Sequence, residues 1–502
     1  MNTSIITSFP AHEVFLKEPR FASDETISSE HPTLSPQSSD GYCSDHSDCD
    51  TWGPNHFSEH GGIENLQFTL ADAVNVRQLP AGYAVEELMC ELTAASESEN
   101  AIYVVDLTTV MRKLGEWREH MPRIKPHYAI KCNSDSAICH LLAQAGCGFD
   151  CASKAEIEQC LAMGVAAQNL IYANPCKQAN MLRYARDVNV RKMTADNVEE
   201  LHKIHDVFPE ARVVLRIAVD DSKSVCRFNS KFGAPASEWD SLLSTAKNLG
   251  LNIAGFSFHV GSGCGDLKPF ADAVASARDA FDLAETYGFH PTILDVGGGW
   301  PGSDDGNFAF REVASVMSES VDHYFPASCG VEIIGEPGRY MVCASHTYAV
   351  SVIAKRKLSD SQLADTAEIE SFGARSTKDT EDTISSLVDD GFKKATSNDS
   401  VPEVALFIND GVYGSFNCVV FDHAHVQPKV LNPVAGARTV ATKLFGPTCD
   451  SIDVVMPCTR LPEMAVGSWI MFENMGAYTR CAATRFNGQG AHDIHYVWSG
   501  MP

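Results

Sequence analysis

Three features that define large classes of proteins are missing from this sequence. Its 17 cysteines include no Cys-x-x-Cys pair and follow no regular spacing, which argues against a disulfide framework and gives no set of metal ligands. There is no apolar signal segment at the N-terminus and no long apolar span. We therefore expect a cytoplasmic protein with reduced thiols and no membrane association.

Positive charge is also scarce. Lys and Arg number 39 against 65 Asp and Glu, which gives a net charge of -26. This balance argues against nucleic acids and anionic membranes as partners and fits a cationic ligand. With 502 residues, of which 44% are apolar and 21% charged, the composition is that of an ordinary globular enzyme of two to four domains.

The first 65 residues differ from the rest of the chain. Residues 1–65 contain 11 acidic and 2 basic residues and few aliphatic ones. A segment of this kind cannot bury enough apolar surface to offset the entropy of ordering it. The sequence therefore predicts a disordered acidic N-terminal arm, with order beginning near Leu66.

The most informative stretch is an alternating run that ends in a lysine. It is PHYAIKCN, residues 126–133, and the alternation predicts a strand with Lys131 at its C-terminal end. A lysine there commonly extends into solvent. It can also form a Schiff base, because an amine in a partly desolvated pocket loses pKa and becomes nucleophilic toward aldehydes. The recurring strand ends between Lys131 and Glu336 favour the Schiff base over a lysine that extends into solvent.

From Lys131 to Glu336 a pattern of short β-branched strand, polar or glycine-bearing end and helical stretch occurs eight times. It predicts an α/β fold, a (β/α)8 TIM barrel, in which the C-terminal ends of the strands meet at one mouth. The predicted strand ends are Lys131, Asp150 with Cys151, Asn174, Thr194 with Ala195, Arg216, His259, the glycines at 297–299 and Glu336.

A glycine run at residues 297–299 lies one strand before Glu336. Such a run is often only a flexible turn. After a late barrel strand, however, it lets backbone N–H groups point at an anion, and the loops after strands seven and eight are the usual phosphate site of this fold. A Schiff-base lysine, a phosphate site and a buried acid together suit pyridoxal phosphate, whose pyridinium nitrogen needs an acidic partner.

With these features the chain resembles a known family, the alanine-racemase-like barrel decarboxylases that use pyridoxal phosphate, and among them the eukaryotic ornithine decarboxylases. The resemblance covers residues 80–500 with one large interruption. The stretches that carry it are PHYAIKCN (126–133), FDCASKAEIE (149–158), IYANPCK (171–177), VVLRIA (213–218), FHVGSG (258–263), DVGGGWPG (295–302), EPGRYMV (336–342), NDGVYGSFNCVVFDHAHV (409–426), FGPTCDSID (445–453) and FENMGAYT (472–479).

The resemblance implies a role for each cofactor residue. Lys131 would form the Schiff base, Glu336 would contact the pyridinium nitrogen and His259 would stack on the cofactor ring. Asp150 and Arg216 would form a charged pair near the cofactor, although an ion pair that only joins two barrel strands stays open. The phosphate-binding set would be Ser262, Gly299, Gly338, Arg339 and Tyr478, with Gly297 and Gly298 beside it.

The last part of the chain changes character. Its Val, Ile, Tyr and Phe runs predict an all-β domain over residues 345–502, which strands within 66–106 would join, with the cofactor-binding barrel over 107–344. A polar insertion at 358–402 is too hydrophilic for a core and is predicted to be a mobile surface loop.

Within this β domain the resemblance implies the substrate site. Asp422 and Asp450 would hold the distal ammonium of a diamine-forming amino acid, because two anions opposing one cation give charge-assisted binding. Cys449 would reprotonate the substrate's α-carbon, although a small buried thiol is the commoner role of cysteine. Phe421 stands where many relatives have tyrosine, which leaves both ornithine and lysine open as substrates.

The implied reaction is decarboxylation of L-ornithine to putrescine and carbon dioxide, the first step of polyamine biosynthesis, in a homodimer with shared active sites. Binding of the regulatory protein antizyme stays open. The alternatives are a lysine, arginine or diaminopimelate decarboxylase, a racemase, and a non-catalytic paralogue that binds antizyme. The two aspartates argue against a diaminopimelate enzyme and a racemase, and the complete set of cofactor residues argues against the paralogue.

Overall fold

The computed structural model describes residues 75–80, 82–227, 231–303, 308–358 and 402–500. The predicted acidic arm, 1–65, and nearly all of the predicted insertion, 358–402, lie outside the described residues. The described chain begins with three short elements, β1 (Val76–Gln78), α1 (Val85–Ala95) and β2 (Ala101–Asp106). Helix α2 (Leu107–His120) then leads into the barrel.

Eight parallel strands close into a barrel, so the predicted fold class is confirmed. The order around the barrel is β10-β3-β4-β5-β6-β7-β8-β9. The strands are β3 (Ile124–Ala129), β4 (Gly148–Cys151), β5 (Leu170–Tyr172), β6 (Lys192–Ala195), β7 (Arg212–Arg216), β8 (Asn252–Ser257), β9 (Ile293–Asp295) and β10 (Glu332–Gly335). The helices after β3 to β10 in turn are α3 (Ser136–Gln144), α4 (Lys154–Ala162), α5 (Ala179–Asp187), α6 (Val198–Val207), α7 (Trp239–Leu249), α8 (Lys268–Thr286), α9 (Phe310–Tyr324) and α10 (Arg339–Val342).

Polar residues after the barrel strands start several of these helices. Asp135 accepts hydrogen bonds from the first backbone N–H groups of α3, Ser153 accepts one in α4 and Asn197 accepts one in α6. Each cap satisfies a donor that a helix start leaves unpaired, and so fixes where the loop ends. The starts of these three helices at the barrel mouth are therefore fixed.

The middle of the barrel interior is apolar and its mouth is polar. A cluster of buried side chains, Ile171, Val214, Ala254, Ile293 and Ile334, fills the middle of the barrel. A larger cluster packs between the strands and the surrounding helices. A buried Lys192–His127 contact lies toward the N-terminal strand ends, and the predicted site residues lie at the C-terminal strand ends, where active sites of such barrels lie.

The second part is a nine-stranded sheet with the order β1-β17-β2-β11-β12-β14-β15, and with β16 pairing to β11 and β13. Strands β1 and β2 join it from before the barrel, but α1 lies between them, where only strands were predicted. Its other elements are β11 (His346–Lys357), β12 (Val404–Ile408), α11 (Asn417–Phe421), β13 (Pro428–Val430), β14 (Thr439–Phe445), β15 (Val454–Pro462), β16 (Trp469–Phe472) and β17 (His492–Trp498).

Polar contacts join the sheet to the barrel near Lys131. Asn133 donates a hydrogen bond to the backbone oxygen of Gly476, 2.8 Å away, and Asp135 accepts one from Tyr496 at 2.8 Å. The backbone N–H of Tyr478 donates to the carbonyl of Cys132 at 3.0 Å. The chain segment after β16 is thus held against the barrel mouth.

No helix in the described part of the chain has both the length and the apolar character needed to cross a bilayer.

Candidate active site

A cavity of about 320 Å³ opens at the C-terminal ends of the barrel strands. Ten of the predicted site residues line it, and they come from five strand ends and from the sheet segment after β16. This is the convergence that the strand-end pattern predicted. The lining residues are Ala129, Lys131, Asp150, His259, Ser262, Gly298, Gly299, Trp300, Glu336, Gly338, Arg339 and Tyr478.

Lys131 lies in a single 3-10 turn, Ile130–Cys132, directly after β3. Its Nζ forms an ion pair with Oδ2 of Asp150, a carboxylate that is fully buried. Burial lowers the pKa of Lys131, but Asp150 and Glu336 together raise it above its usual value. The expectation that desolvation would depress this pKa is therefore wrong for the chain alone, because neighbouring carboxylates stabilise the ammonium.

The glycines let backbone approach backbone at one side of the cavity. Gly299 has a φ of +94°, in the left-handed region that favours glycine. A Cβ on Gly338 would lie 2.8 Å from Cβ of Cys132, so no other residue fits there without displacing the turn that carries Lys131. The buried indole of Trp300 donates to the carbonyl of Gly297 at 3.0 Å and fixes the loop. These crowded backbones leave room for an anion but not for side chains.

The guanidinium that lines this cavity belongs to Arg339. Its Nη2 lies 2.6 Å from Oδ1 of Asp422, and its Cζ lies 4.9 Å from the ring centre of Tyr478. Burial lowers the pKa of Arg339, but Asp422 outweighs this and raises it. A permanent cation therefore stands beside the glycines, as a phosphate site requires.

Glu336 is enclosed by other acids. Burial raises the pKa of its carboxyl well above the usual value, and Asp150 and Asp295 raise it further. Asp295 is itself buried, which raises its pKa to about 6. Asp295 was not predicted as a site residue, although an acid at the end of an apolar strand was a signal. Such a group of acids can accommodate a protonated pyridine nitrogen, so the donor set fits pyridoxal phosphate.

His259 accepts a hydrogen bond from the backbone, whereas Arg216 stacks on an aromatic ring. Nδ1 of His259 accepts a hydrogen bond from the backbone of Gly261 at 3.0 Å, and burial, followed by repulsion from Arg216 and Lys131, lowers its pKa well below the usual value. Its imidazole is therefore neutral. Arg216 stacks 5.3 Å over the ring of Phe232. The predicted pairing of Arg216 with Asp150 is absent among the described residues: Lys131 pairs with Oδ2 of that carboxylate, and its buried Oδ1 has no hydrogen-bond partner there.

The predicted substrate residues lie at two separate places. Asp422 pairs with Arg339, which lines the cavity, whereas the neighbouring Phe421 is 74% exposed. Asp450 accepts a hydrogen bond from Tyr413 at 2.5 Å, and the exposed Cys449 donates its backbone N–H to Asn487 at 2.9 Å. In the described chain neither Cys449 nor Asp450 lines the cavity. Tyr413 was not predicted as a site residue, because only the fold reveals its position beside Asp450.

Comparisons with known proteins agree with this geometry. The family model "Pyridoxal-dependent decarboxylase, pyridoxal binding domain" matches residues 107–343. An ornithine decarboxylase from Mus musculus is 42% identical over 85% of this chain and 88% of its own length. Antizyme inhibitor 2 from Xenopus laevis is 43% identical over 87% of this chain and 88% of its own. The crystal structure of arginine decarboxylase from Paramecium bursaria Chlorella virus is 31% identical, with a TM-score of 0.70, and covers 82% of this chain and 100% of its own.

Proposed function

Because the chain belongs to the eukaryotic ornithine decarboxylase family of pyridoxal-dependent decarboxylases, we propose that its substrate is L-ornithine, which it converts to putrescine and carbon dioxide. It is a pyridoxal-phosphate-dependent amino-acid decarboxylase. The observation that carries the choice of substrate is the carboxylate of Asp422, held at the cavity mouth by Arg339. A diamine-forming substrate presents a cation to such an acid. Putrescine would enter polyamine biosynthesis.

Several residues of the cavity have a part in this reaction. Bound pyridoxal phosphate supplies a ring that accepts the electron pair of the breaking carbon–carbon bond. The glycines and Arg339 would hold its phosphate, Glu336 would lie at its nitrogen and the neutral His259 at its ring. Lys131 would provide the amine that attaches the cofactor to the protein and gives way to the substrate's amine. Asp150 would hold the freed amine of Lys131 as an ammonium.

Two further residues would act from the sheet. The thiol of Cys449 gives a proton to the substrate's α-carbon after carbon dioxide has left, and Asp450, oriented by Tyr413, adds a second anion for the distal ammonium. Both residues are outside the cavity of their own chain. A two-fold homodimer that brings them to the partner's cavity supplies two equivalent complete sites.

Exposed apolar side chains support this dimer. Val420 and Phe421 are exposed beside Asp422, and Ile452 and Phe486 are exposed beside Asp450 and Tyr413. Large exposed apolar residues beside functional residues are typical of surfaces that a partner covers. The free thiols of all described cysteines support a location in the cytoplasm.

A role in binding antizyme is a second candidate, supported by the 43% identity to an antizyme inhibitor. That role needs no cofactor. Lys131, Arg339 and Glu336 nevertheless line one cavity, an arrangement that a binding role alone does not explain. Catalysis is therefore the proposal, and antizyme binding would be an additional property.

The test is turnover by the purified full-length protein loaded with pyridoxal phosphate. Carbon dioxide release is measured from L-ornithine, L-lysine and L-arginine under the same conditions. We expect kcat/KM for ornithine to exceed that for lysine by at least about tenfold, since one methylene in a closed pocket is worth roughly 1–3 kcal/mol. A preference for lysine or arginine would overturn the substrate, and cofactor binding without any turnover would favour the binding role.

A further inference from the structure

A second cavity lies on the inner wall of the barrel, where β6, β7 and β8 end. It shares His259 and Glu336 with the first cavity. Two of its hydroxyl groups, on Thr194 and Ser257, have no part in the function proposed above. The complete lining is Ala173, Thr194, Arg216, Ser257, Phe258, His259 and Glu336.

Both hydroxyls are buried without a partner in the protein. Thr194 is 2% exposed and Ser257 is 4% exposed, and neither hydroxyl oxygen has a hydrogen-bond partner among the described residues. A dry unpartnered hydroxyl is unfavourable, whereas an ordered water in a polar cavity satisfies two to four such groups. The space is sufficient for about one water molecule.

The register of the strands places these groups side by side. Ser257 is the neighbour of Arg216 on β7 and of Asp295 on β9. Thr194 is the neighbour of Val214, two residues before Arg216. Neighbouring residues of parallel strands point to the same side of the sheet. The two hydroxyls and Arg216 therefore surround one space, and Glu336 borders it.

We propose that this cavity holds an ordered water molecule that hydrogen-bonds Thr194 and Ser257 to the carboxylate of Glu336, which makes the two hydroxyls positioning groups for that acid. Water has the right chemistry, because it can accept from both hydroxyls and donate to a carboxylate. The inference rests on the proposed role of Glu336 at the cofactor nitrogen. It does not depend on which amino acid is decarboxylated.

The electrostatics of Glu336 explain why such a donor matters. Burial and the nearby acids raise the pKa of Glu336, whereas hydrogen bonds donated to the ionised carboxylate lower it. Loss of the water should therefore raise this pKa further. The charged and titratable groups facing Glu336 are Asp150, Asp295, Lys131, Arg216 and His259.

The experiment replaces Thr194 in the full-length protein by residues that separate shape from hydrogen bonding. Thr194→Val keeps the shape and removes the hydroxyl, whereas Thr194→Ser keeps the hydroxyl. Melting temperatures are measured without cofactor and with pyridoxal phosphate bound. With a water in place, Thr194→Val should melt below the natural protein in both states, and Thr194→Ser should melt above Thr194→Val. In a dry cavity Thr194→Val removes an unsatisfied group and melts at the same or a higher temperature, which would overturn the proposal.

A second measurement separates positioning from packing. The affinity for pyridoxal phosphate is measured by absorbance titration at several pH values. The midpoint of this pH dependence should lie at higher pH in Thr194→Val and in Ser257→Ala than in the natural protein. The matched control is Thr442→Val, because Thr442 is equally buried but its hydroxyl donates to the carbonyl of Val440 at 3.2 Å. The control should lower the melting temperature and leave the midpoint unchanged. An unmoved midpoint in both barrel variants would also overturn the proposal, and neither readout changes if the substrate is not ornithine.

Discussion

Nη2 of Arg339 lies 2.6 Å from Oδ1 of Asp422, and their side chains are only 24% and 12% exposed. One of these residues is proposed to bind the cofactor's phosphate and the other the substrate's distal ammonium. The ion pair therefore joins the two ends of the site. Because a phosphate on Arg339 would share its charge, cofactor binding should leave Asp422 more available to a cationic substrate.

The first prediction concerns the charge of Asp422. Asp422→Asn keeps the shape and removes the anion, so KM for ornithine should rise about 10- to 100-fold, since a hydrogen bond to a charged group is worth roughly 1.5–3 kcal/mol. Affinity for pyridoxal phosphate should not fall, because Arg339 loses its competitor. Steady-state kinetics and absorbance titration measure the two effects.

The matched control for this variant is Asp322→Asn. Asp322 also pairs with an arginine, Arg123, at 2.5 Å, but its side chain is 64% exposed and Arg123 precedes β3, at the end of the strand opposite the barrel mouth. Exposed pairs contribute little, so KM should be that of the natural protein. An unchanged KM in Asp422→Asn as well would remove Asp422 from the substrate site.

The sequence predicts the barrel and most of its mouth because both depend on local patterns. Strand ends that carry Lys131, Glu336 or the glycines each follow a short apolar run, and parallel strands of one barrel must place those ends together. The Arg339–Asp422 pair could not be predicted in this way. Its partners are 83 positions apart on different elements, and no periodicity encodes which of several acids reaches one arginine.

Two other differences between the sequence predictions and the structure also have physical causes. Helix α1 has buried Leu88, Met89 and Thr93 at helical spacing, but the segment is short and rich in apolar residues, so a pattern alone does not separate it from a strand. The pKa of Lys131 depends on Asp150 and Glu336. Only the folded barrel brings those acids close enough to outweigh burial.

The second prediction concerns the covalent link to the cofactor. Lys131→Ala removes the amine in the turn after β3, so borohydride should no longer fix pyridoxal phosphate to the protein. Turnover should fall by about a thousandfold or more, as expected when a covalent nucleophile is lost. Mass spectrometry of the reduced protein measures the first effect directly.

Lys125→Ala is the control for this variant. Lys125 lies on the same strand, at its other end, and pairs with Glu332 at 3.2 Å, away from the cavity lining. Its replacement should leave cofactor fixation intact. If the cofactor were still fixed in Lys131→Ala at full activity, another lysine would have to carry the link.

The third prediction is a pH dependence of stability. Burial raises the pKa of Asp295 from its usual value of 3.8 to about 6, so the folded cofactor-free protein binds this proton more tightly than the unfolded chain. Between about pH 4 and pH 6 the folded state therefore holds this proton more often than the unfolded chain, and the contribution of Asp295 to the free energy of unfolding falls as pH rises, by up to roughly 3 kcal/mol. Urea unfolding of the natural protein and of Asp295→Asn at several pH values measures this contribution as the difference between the two.

Asp295→Asn isolates that contribution, because its side-chain oxygen can still accept from the backbone of Gly297, as the carboxylate does at 2.9 Å. The variant should gain in stability relative to the natural protein as pH rises through this window and keep that gain above it. A constant difference at all pH values would mean that the pKa of Asp295 is the same in the folded protein and the unfolded chain.

The last prediction tests whether the active site is shared between two subunits. Lys131 lies in the barrel cavity, whereas Cys449 lies outside the cavity of its own chain. Lys131→Ala and Cys449→Ala should each be inactive or nearly so as homodimers. When the two are mixed and allowed to exchange subunits, a heterodimer has one site that carries both lesions and one that carries neither. Random exchange makes about half of the dimers hetero, so activity should recover to about a quarter of the natural level.

The same mixture distinguishes this arrangement from a site built within one chain. If Lys131 and Cys449 of the same chain acted together, every site in the heterodimer would carry one lesion and no activity would return. Native mass spectrometry confirms that exchange has occurred, since the two variants can be given different masses. Recovery near a quarter with confirmed exchange requires Cys449 to act in the partner's cavity, where Asp450, the next residue, would lie beside the substrate held by Asp422.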